Sequence, residues 1–356
     1  MATRAAVYWF SGTGNAWKLA RAACAEIGRR AAAPAPVAAG GIACECRAIE
    51  LSGGGAVGEA DLTGIVSPAL GFGLPSNVAS FLKRLPPGNG RKAFIAIALG
   101  NTETIALGAR RMSISPSGGI ALRQAARTLK RRGYDVAWAE AFEMPTNWIL
   151  AIDPPPRPRA DTLVARSSEK IRSSMNALMR GERFHRPVNP LRAIPFAVVY
   201  ALFSVIGRRY AGKLFYADDA CDGCRECASR CPNGTIRWRS GRPAWGWSCL
   251  QCFRCINLCP RGAIQVSGLS IVAAAAPFLL MEYFRRRALV PPLPHGLAAA
   301  GRIACCLIVS AAIVELLHRL NSLPGAGRFI PRWPLTGKRA RYAAPGFPPP
   351  EMDHSP

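Results

Sequence analysis

Cys221-Asp222-Gly223-Cys224-Arg225-Glu226-Cys227-Ala228-Ser229-Arg230-Cys231-Pro232 returns, in spacing though not in filling, as Cys249-Leu250-Gln251-Cys252-Phe253-Arg254-Cys255-Ile256-Asn257-Leu258-Cys259-Pro260. Each stretch reads C-x2-C-x2-C-x3-C-P, and every cysteine of the second lies 28 positions after its counterpart. Self-similarity at a fixed period marks an internal repeat. Eight of the 13 cysteines fall within these forty residues. The apolar run Ala5–Phe10 is too short for a signal-peptide core and is not followed by a cleavage site. A reducing interior is therefore expected, where cysteines serve metals or catalysis more readily than disulfides.

Three thiolates two residues apart can wrap one corner of an iron–sulfur cubane while backbone amides point at its sulfides. Four cysteines also suit tetrahedral zinc, but zinc sites usually show two C-x2-C pairs separated by a longer loop. The spacing resembles that of bacterial ferredoxins carrying two 4Fe-4S clusters, in which the cysteine before the proline serves the other cluster. That crossing implies one cluster on Cys221, Cys224, Cys227 and Cys259, and a second on Cys249, Cys252, Cys255 and Cys231. Short apolar runs follow each stretch, Thr235–Trp238 and Ala263–Val266, as a compact two-cluster module requires.

Upstream, Ala5–Phe10 reads as a buried strand running into Ser11-Gly12-Thr13-Gly14-Asn15 and then a helix to about Arg30, with Ala16, Leu19, Ala20, Ala23 and Ile27 on one face. Strand, glycine-and-hydroxyl loop and helix N-terminus together make a phosphate site. The G-x-G-x-x-G pattern and the Walker lysine are both absent, which argues against dinucleotide binding and nucleotide hydrolysis. Further strands are expected around Arg47–Leu51, Leu62–Pro68, Ala93–Leu99 and Asp135–Phe142, with a helix at Ile120–Arg132 stopped by Gly133. This alternation predicts an α/β fold, a doubly wound parallel sheet whose ligands sit beyond the strand carboxyl ends. The loops Ser11–Asn15, Gly71–Pro75, Gly100–Thr104 (with Asn101) and Met144–Trp148 fall at those ends.

Ser11–Asn15 resembles the FMN-phosphate loop of flavodoxins, with Ala16 where that loop usually carries threonine. Ser67–Pro75 resembles the next flavodoxin loop. Met144-Pro145-Thr146-Asn147-Trp148, Phe215–Asp218 and Gly241–Gly246 are similar to segments of proteins that fuse a flavodoxin domain to a two-cluster ferredoxin. The resemblance covers about residues 5–267. It implies a flavodoxin-like sheet followed by a small α+β ferredoxin domain, with FMN beside two 4Fe-4S clusters. Ser11, Gly12, Thr13, Gly14, Asn15 and Asn101 would hold the FMN, with Phe72 or Trp148 covering its ring.

The expected layout is a flavodoxin-like domain (1–152), a proline-rich linker with packing helices (153–214), the ferredoxin domain (215–267), a helical extension (268–341) and a disordered tail (342–356). The linker reading includes a helix from about Ala160 to Arg180 and an apolar stretch, Ala193–Gly207, expected to pack in a core. Gly268–Met281 and Ile303–Val314 are apolar, but as unbroken runs they fall short of the 20 or so residues of a spanning helix. A hairpin lying on a membrane or a partner is the expectation, in a cytoplasmic protein peripheral to the inner membrane face.

A formal charge of +25 would attract acidic redox proteins, phosphorylated cofactors or acidic lipids. No basic block is dense enough to act as a nucleic-acid arm. The four histidines are scattered outside any motif, so no catalytic residue is assigned and the substrate of any oxidoreductase activity is open. The sequence predicts an electron-transfer protein passing electrons between FMN and two clusters, served by a separate donor and acceptor protein. The other reading is a ferredoxin-type carrier with a degenerate flavodoxin domain, docked to a membrane or redox complex.

Overall fold

The computed structural model describes residues 4–31, 43–51, 60–100, 105–107, 110–112, 118–186, 190–287, 297–323, 325 and 332–350. They fall into two compact units, the first built from Met1–Val205, Cys252–Leu258 and Ala340–Pro356, the second from Ile206–Gln251 and Cys259–Arg339.

In the first unit the order is β1 (Arg4–Trp9), α1 (Asn15–Ala31), β2 (Ala43–Ala48), β3 (Leu62–Pro68), α2 (Ser76–Arg84), β4 (Lys92–Gly100), a small hairpin β5 (Ile105–Leu107) and β6 (Arg110–Met112), α3 (Gly118–Arg131), β7 (Asp135–Met144), α4 (Arg157–Met179), β8 (Phe184–His185) and α5 (Pro190–Leu202). The main sheet runs β2-β1-β3-β4-β7-β8, every pair parallel. That is the flavodoxin-like order, with its switch point between β1 and β3. The strands β3, β4 and β7 are buried along nearly their whole length, as a sheet covered on both faces demands. Gly133, at φ 81°, ends α3 as expected, with the Tyr134 N–H turning back to the Leu129 carbonyl.

Three expectations change here. The helix expected near 160–180 is present as α4, but it packs on α1 and β7 as part of the sheet unit, with Ile171 and Met175 in the main core. A proline-rich break marked the approach to this helix, not a domain boundary. The Ala193–Gly207 stretch is not core: Ile194, Val198, Val199, Leu202 and Val205 are exposed. Two cysteines outside the repeat, Cys24 and Cys44, form a disulfide between α1 and β2.

The second unit contains α6 (Arg208–Lys213), β9 (Phe215–Ala217), α7 (Glu226–Ser229), β10 (Ile236–Arg239) and β11 (Arg242–Trp245). After α8 (Arg254–Leu258), whose residues belong to the first unit, come β12 (Ile264–Val266), α9 (Gly268–Arg286) and α10 (Leu297–Asn321). The 28-residue repeat governs the strand pairing. Ile264 pairs with Ala217 in β12–β9, and Ile236 pairs with Trp245 in β10–β11. Each residue of one pair sits 28 positions from a residue of the other, so the module is two-fold related in backbone as in sequence. The helices α9 and α10 run beyond the apolar runs read from sequence, for 19 and 25 residues. Counting unbroken apolar residues stopped at Glu282, Arg302 and Glu315, charged residues that the helices include.

Within the sheet, Gly64 on β3 leaves room for the Phe94 ring of β4: a Cβ at Gly64 would lie 2.3 Å from that ring. Both Phe94 and the strand around it are fully buried. Gly64→Ala is therefore an overpacking change, expected to cost about 1–3 kcal/mol in urea denaturation. A cost below the error of that measurement would show that the sheet gives way at this point.

Candidate functional site

The backbone of the two cysteine runs repeats residue for residue. Left-handed φ values occur at Gly223 (81°), Arg225 (63°) and Gly234 (56°), and again 28 positions later at Gln251 (55°), Phe253 (57°) and Gly262 (60°). The first two of each set flank the second cysteine of their run and curl the chain round it. A non-glycine residue held there costs roughly 1–2 kcal/mol. Arg225, Gln251 and Phe253 all bear that cost, and such strain persists where the surroundings over-determine it, commonly at functional sites.

Cys221, Cys224 and Cys259 stand close enough to Cys227 to act on its charge. Burial first, and then these three thiols, push the Cys227 thiol up to about 12. Thiols gathered this closely suit iron, whose positive charge takes the place of the protons. Among the described residues no three His, Cys, Asp or Glu side chains converge as ligands of a single ion. A lone zinc would need sulfurs about 2.3 Å from one point, whereas a cubane sets its four cysteines further apart. The residues present fit a cluster. Around the second run the Gln251 N–H donates to Cys249 Sγ at 3.4 Å. Cys231, Cys249 and Cys252 are buried, Cys221, Cys227, Cys255 and Cys259 are intermediate, and Cys224 is exposed.

The loop at the end of β1 is differently placed from expectation. Ser11 Oγ accepts the Gly14 N–H at 2.9 Å, and Thr13 Oγ1 accepts Asn147 Nδ2 at 3.1 Å. Asn15 Nδ2 donates to the Pro145 carbonyl at 2.7 Å, while its Oδ1 accepts the Tyr342 hydroxyl at 3.1 Å. The Thr13 carbonyl accepts the Ala344 N–H at 2.8 Å. A Cβ added at Gly12 would lie 2.2 Å from the Cys252 carbonyl oxygen, and one at Gly14 would lie 2.8 Å from Ala344 and Phe347. These glycines admit protein. Ser11 and Thr13 are each 1% exposed, and the Gly14 N–H and Asn15 Nδ2 already serve protein acceptors. The loop in this conformation does not fit an FMN phosphate.

The residues expected around a flavin ring are dispersed. Phe72 stacks edge-on against Phe196 of α5 at 5.0 Å, and Tyr200 and Phe203 abut Gly73 and Gly71. Trp148 is 40% exposed. Asn101 lies outside the described residues. The tail expected to be disordered from Tyr342 is instead docked: Tyr342 and Ala344 are buried, and Phe347 sits between Trp9 and Trp17. A proline-rich composition concealed these anchors.

Sequence reasoning also missed Arg254. Its guanidinium pairs with Glu50, the two side chains 2% and 0% exposed, and donates from Nη2 to the Ser11 carbonyl at 2.6 Å and from Nε to the Gly12 carbonyl at 3.3 Å. It lies 5.9 Å from the ring centres of both Phe10 and Phe347. Burial pushes the Glu50 carboxyl up, and Arg254 pulls it back down. The sequence offered no signal that set Arg254 apart, since Arg225 and Glu226 hold comparable positions in the first run.

A family model described as a 4Fe-4S dicluster domain matches residues 213–260. The module is of the 4Fe-4S type. No curated protein sequence matches the chain. Among solved structures it is similar to the flavodoxin of Megasphaera elsdenii, at 20% identity over 46% of this chain and 98% of that one, with a TM-score of 0.29. It is also similar to a flavodoxin from the domain Archaea, at 11% identity over 49% and 99%, TM-score 0.29. A third likeness is the Flv1 flavodiiron core of Synechocystis sp., at 17% identity over 51% of this chain, TM-score 0.31. The chain spans only 37% of Flv1 and 36% of the rubredoxin oxygen:oxidoreductase of Desulfovibrio gigas. At these scores the likenesses carry no functional argument, and the fold class rests on the strand order itself.

Removing one partner of a buried ion pair leaves the other charge unpaired, at a cost of about 3–5 kcal/mol. Arg254→Ala is expected to lose that much stability in denaturation followed by tryptophan fluorescence. Pairing Arg254→Met with Glu50→Leu is expected to recover most of it, because no charge then remains stranded. A single mutant as stable as the parent would show that the pair is not buried in solution.

Proposed function

We propose that the chain is an electron carrier in which two 4Fe-4S clusters pass electrons singly between a donor and an acceptor protein. One cluster is held by Cys221, Cys224, Cys227 and Cys259, the other by Cys249, Cys252, Cys255 and Cys231. The observation that carries this reading is the recurrence of the same left-handed turns, short helix and strand at a 28-residue interval in both runs. Two like halves with like ligands call for two like cofactors.

A cluster supplies one-electron redox chemistry at a potential set by burial and by hydrogen bonds to sulfur. The chain's own residues set those terms unequally. Cys224 is exposed, whereas Cys231, Cys249 and Cys252 are buried. The cluster of the first run is accordingly the one that exchanges electrons with partners, and that of the second run is the sheltered one. In this reading the flavodoxin-like sheet is a scaffold: Cys252–Leu258 is incorporated into its compact unit, and Arg254 and the 342–347 segment occupy the loop a flavin phosphate would need. No electron-transfer step is assigned to FMN.

The test is anaerobic purification with iron, sulfide and flavin measured on one sample. About eight irons and eight sulfides per chain are expected, with flavin far below one. Cys224→Ser and Cys252→Ser should each remove about half of the iron. Colourless protein, zinc in place of iron, or a single cluster would defeat the proposal. Stoichiometric FMN would instead restore the flavo-iron–sulfur reading and require the tail to leave the loop.

A further inference from the structure

We infer that α9 and α10 form a hairpin that crosses a lipid bilayer, anchoring the carrier to the membrane. At 1.5 Å per residue α9 and α10 are about 28 and 37 Å long, against a hydrocarbon core of about 30 Å. Within their most apolar windows only 11% and 17% of residues are buried. Val272, Phe278, Leu279 and Leu280 on α9, and Ile303, Ile308, Val309 and Leu316 on α10, are all exposed. Water would not tolerate that surface over such a length.

The contact between the two helices is the kind a bilayer selects. Pro277 interrupts the α9 hydrogen-bond ladder, and α10 donates to carbonyls beside the break: Ser310 Oγ to the Ala274 carbonyl at 2.9 Å and Cys306 Sγ to the Pro277 carbonyl at 3.5 Å. Side-chain donors from a neighbouring helix are among the means by which a proline is accommodated inside a membrane. Small residues, Ala274 and Ser310, meet at this seam. Charged groups lie towards the ends. Glu282 pairs with Arg285 and Arg286 at the far end of α9, and Lys213 pairs with Glu315 towards the near end of α10. Exposed aromatic residues mark both levels, Trp333 beside Gly268 and Tyr283 one helix length away.

Chain connectivity decides the number of crossings. Met1–Val205, Cys252–Leu258 and Ala340–Pro356 make up one compact unit. The Gly268 N–H bonds the Trp333 carbonyl and the Leu335 N–H the Val266 carbonyl, so the chain before α9 and the chain after α10 lie on the same side and the pair crosses out and back, with Arg287 on the far side. The stretch Ala193–Lys213 is also long and apolar enough to cross, but the same unit holds chain from before and after it, so it returns to the side it left. Its exposed stripe Leu191, Ile194, Val198, Leu202 and Val205 borders a groove shared with Arg123, Arg127, Lys130 and Arg131 of α3. An apolar stripe beside a basic one suits the anionic headgroup plane of the same leaflet.

The full-length protein with its clusters is tested directly. Retention in the membrane pellet after alkaline carbonate washing is expected, as is flotation of detergent-purified protein after reconstitution with phosphatidylcholine–phosphatidylglycerol vesicles. Release by carbonate or failure to float overturns the inference, in favour of a peripheral hairpin or a protein partner. Arg287→Cys, at the far end of α9, should react with a membrane-impermeant maleimide added to intact cells, and labelling only after lysis overturns the crossing. Leu279→Arg combined with Ile308→Arg should cut membrane retention at least tenfold while iron per chain in detergent stays unchanged. Unchanged retention with unchanged iron overturns the lipid-facing assignment, and the iron count guards against a variant that has merely unfolded.

Discussion

A buried arginine sets the terms for the first unit. Arg254 and Glu50 are removed from water together, and the desolvation of two charges is repaid only where the remaining hydrogen-bonding capacity is used. Arg254 meets that condition through the carbonyls of Ser11 and Gly12 and the faces of Phe10 and Phe347. Glu50 meets it less completely, for its Oε2 has no hydrogen-bond partner. The consequence is a tight geometric constraint: the loop after β1 must present its carbonyls to Arg254, and the segment around Phe347 must close over it. A loop so committed has little freedom to wrap a phosphate.

The same constraint explains how a flavodoxin-like topology can serve a different end. The crevice at the switch between β1 and β3 exists because the strand order reverses there, whatever occupies it. In this chain the occupants are Cys252–Leu258 and the 342–347 segment. The glycines that would bring backbone close to an anion instead bring it close to the Cys252 carbonyl and to Ala344. Fold and function separate at this point, as they commonly do when a site is assembled on an old scaffold.

What was legible in the sequence was local. Eight cysteines at fixed spacing, the strands β3, β4 and β7, and the stop at Gly133 depend on residues a few positions apart, and the structure has them where periodicity placed them. What was not legible depends on distant single contacts. Tyr342 reaches Asn15 across 327 positions and Arg254 reaches Glu50 across 204, and neither leaves a periodic trace. At Ser11–Asn15 the strand and helix flank the loop as read, and the space beside it is filled by segments that composition alone described as a cysteine run and a proline-rich tail.

The C-terminal helices show a different failure of sequence reading, one of bookkeeping. Apolar runs were measured between charges, yet a helix does not end where a charge begins. Glu282 neutralises Arg285 and Arg286 within a single turn, and the helix continues through all three. The relevant length is that of the hydrogen-bonded rod, and the relevant environment is what its side chains touch. Many of those on α9 and α10 are exposed. The helices join the cluster module through backbone and buried polar contacts: the Gly268 N–H to the Trp333 carbonyl at the start of α9, and the Trp245 N–H to His318 Nε2 at the end of α10. Both attachments are at one end of the pair. On the bilayer crossing proposed above, a hairpin fixed at one end to the cysteine module would hold that module at a set height above the membrane surface.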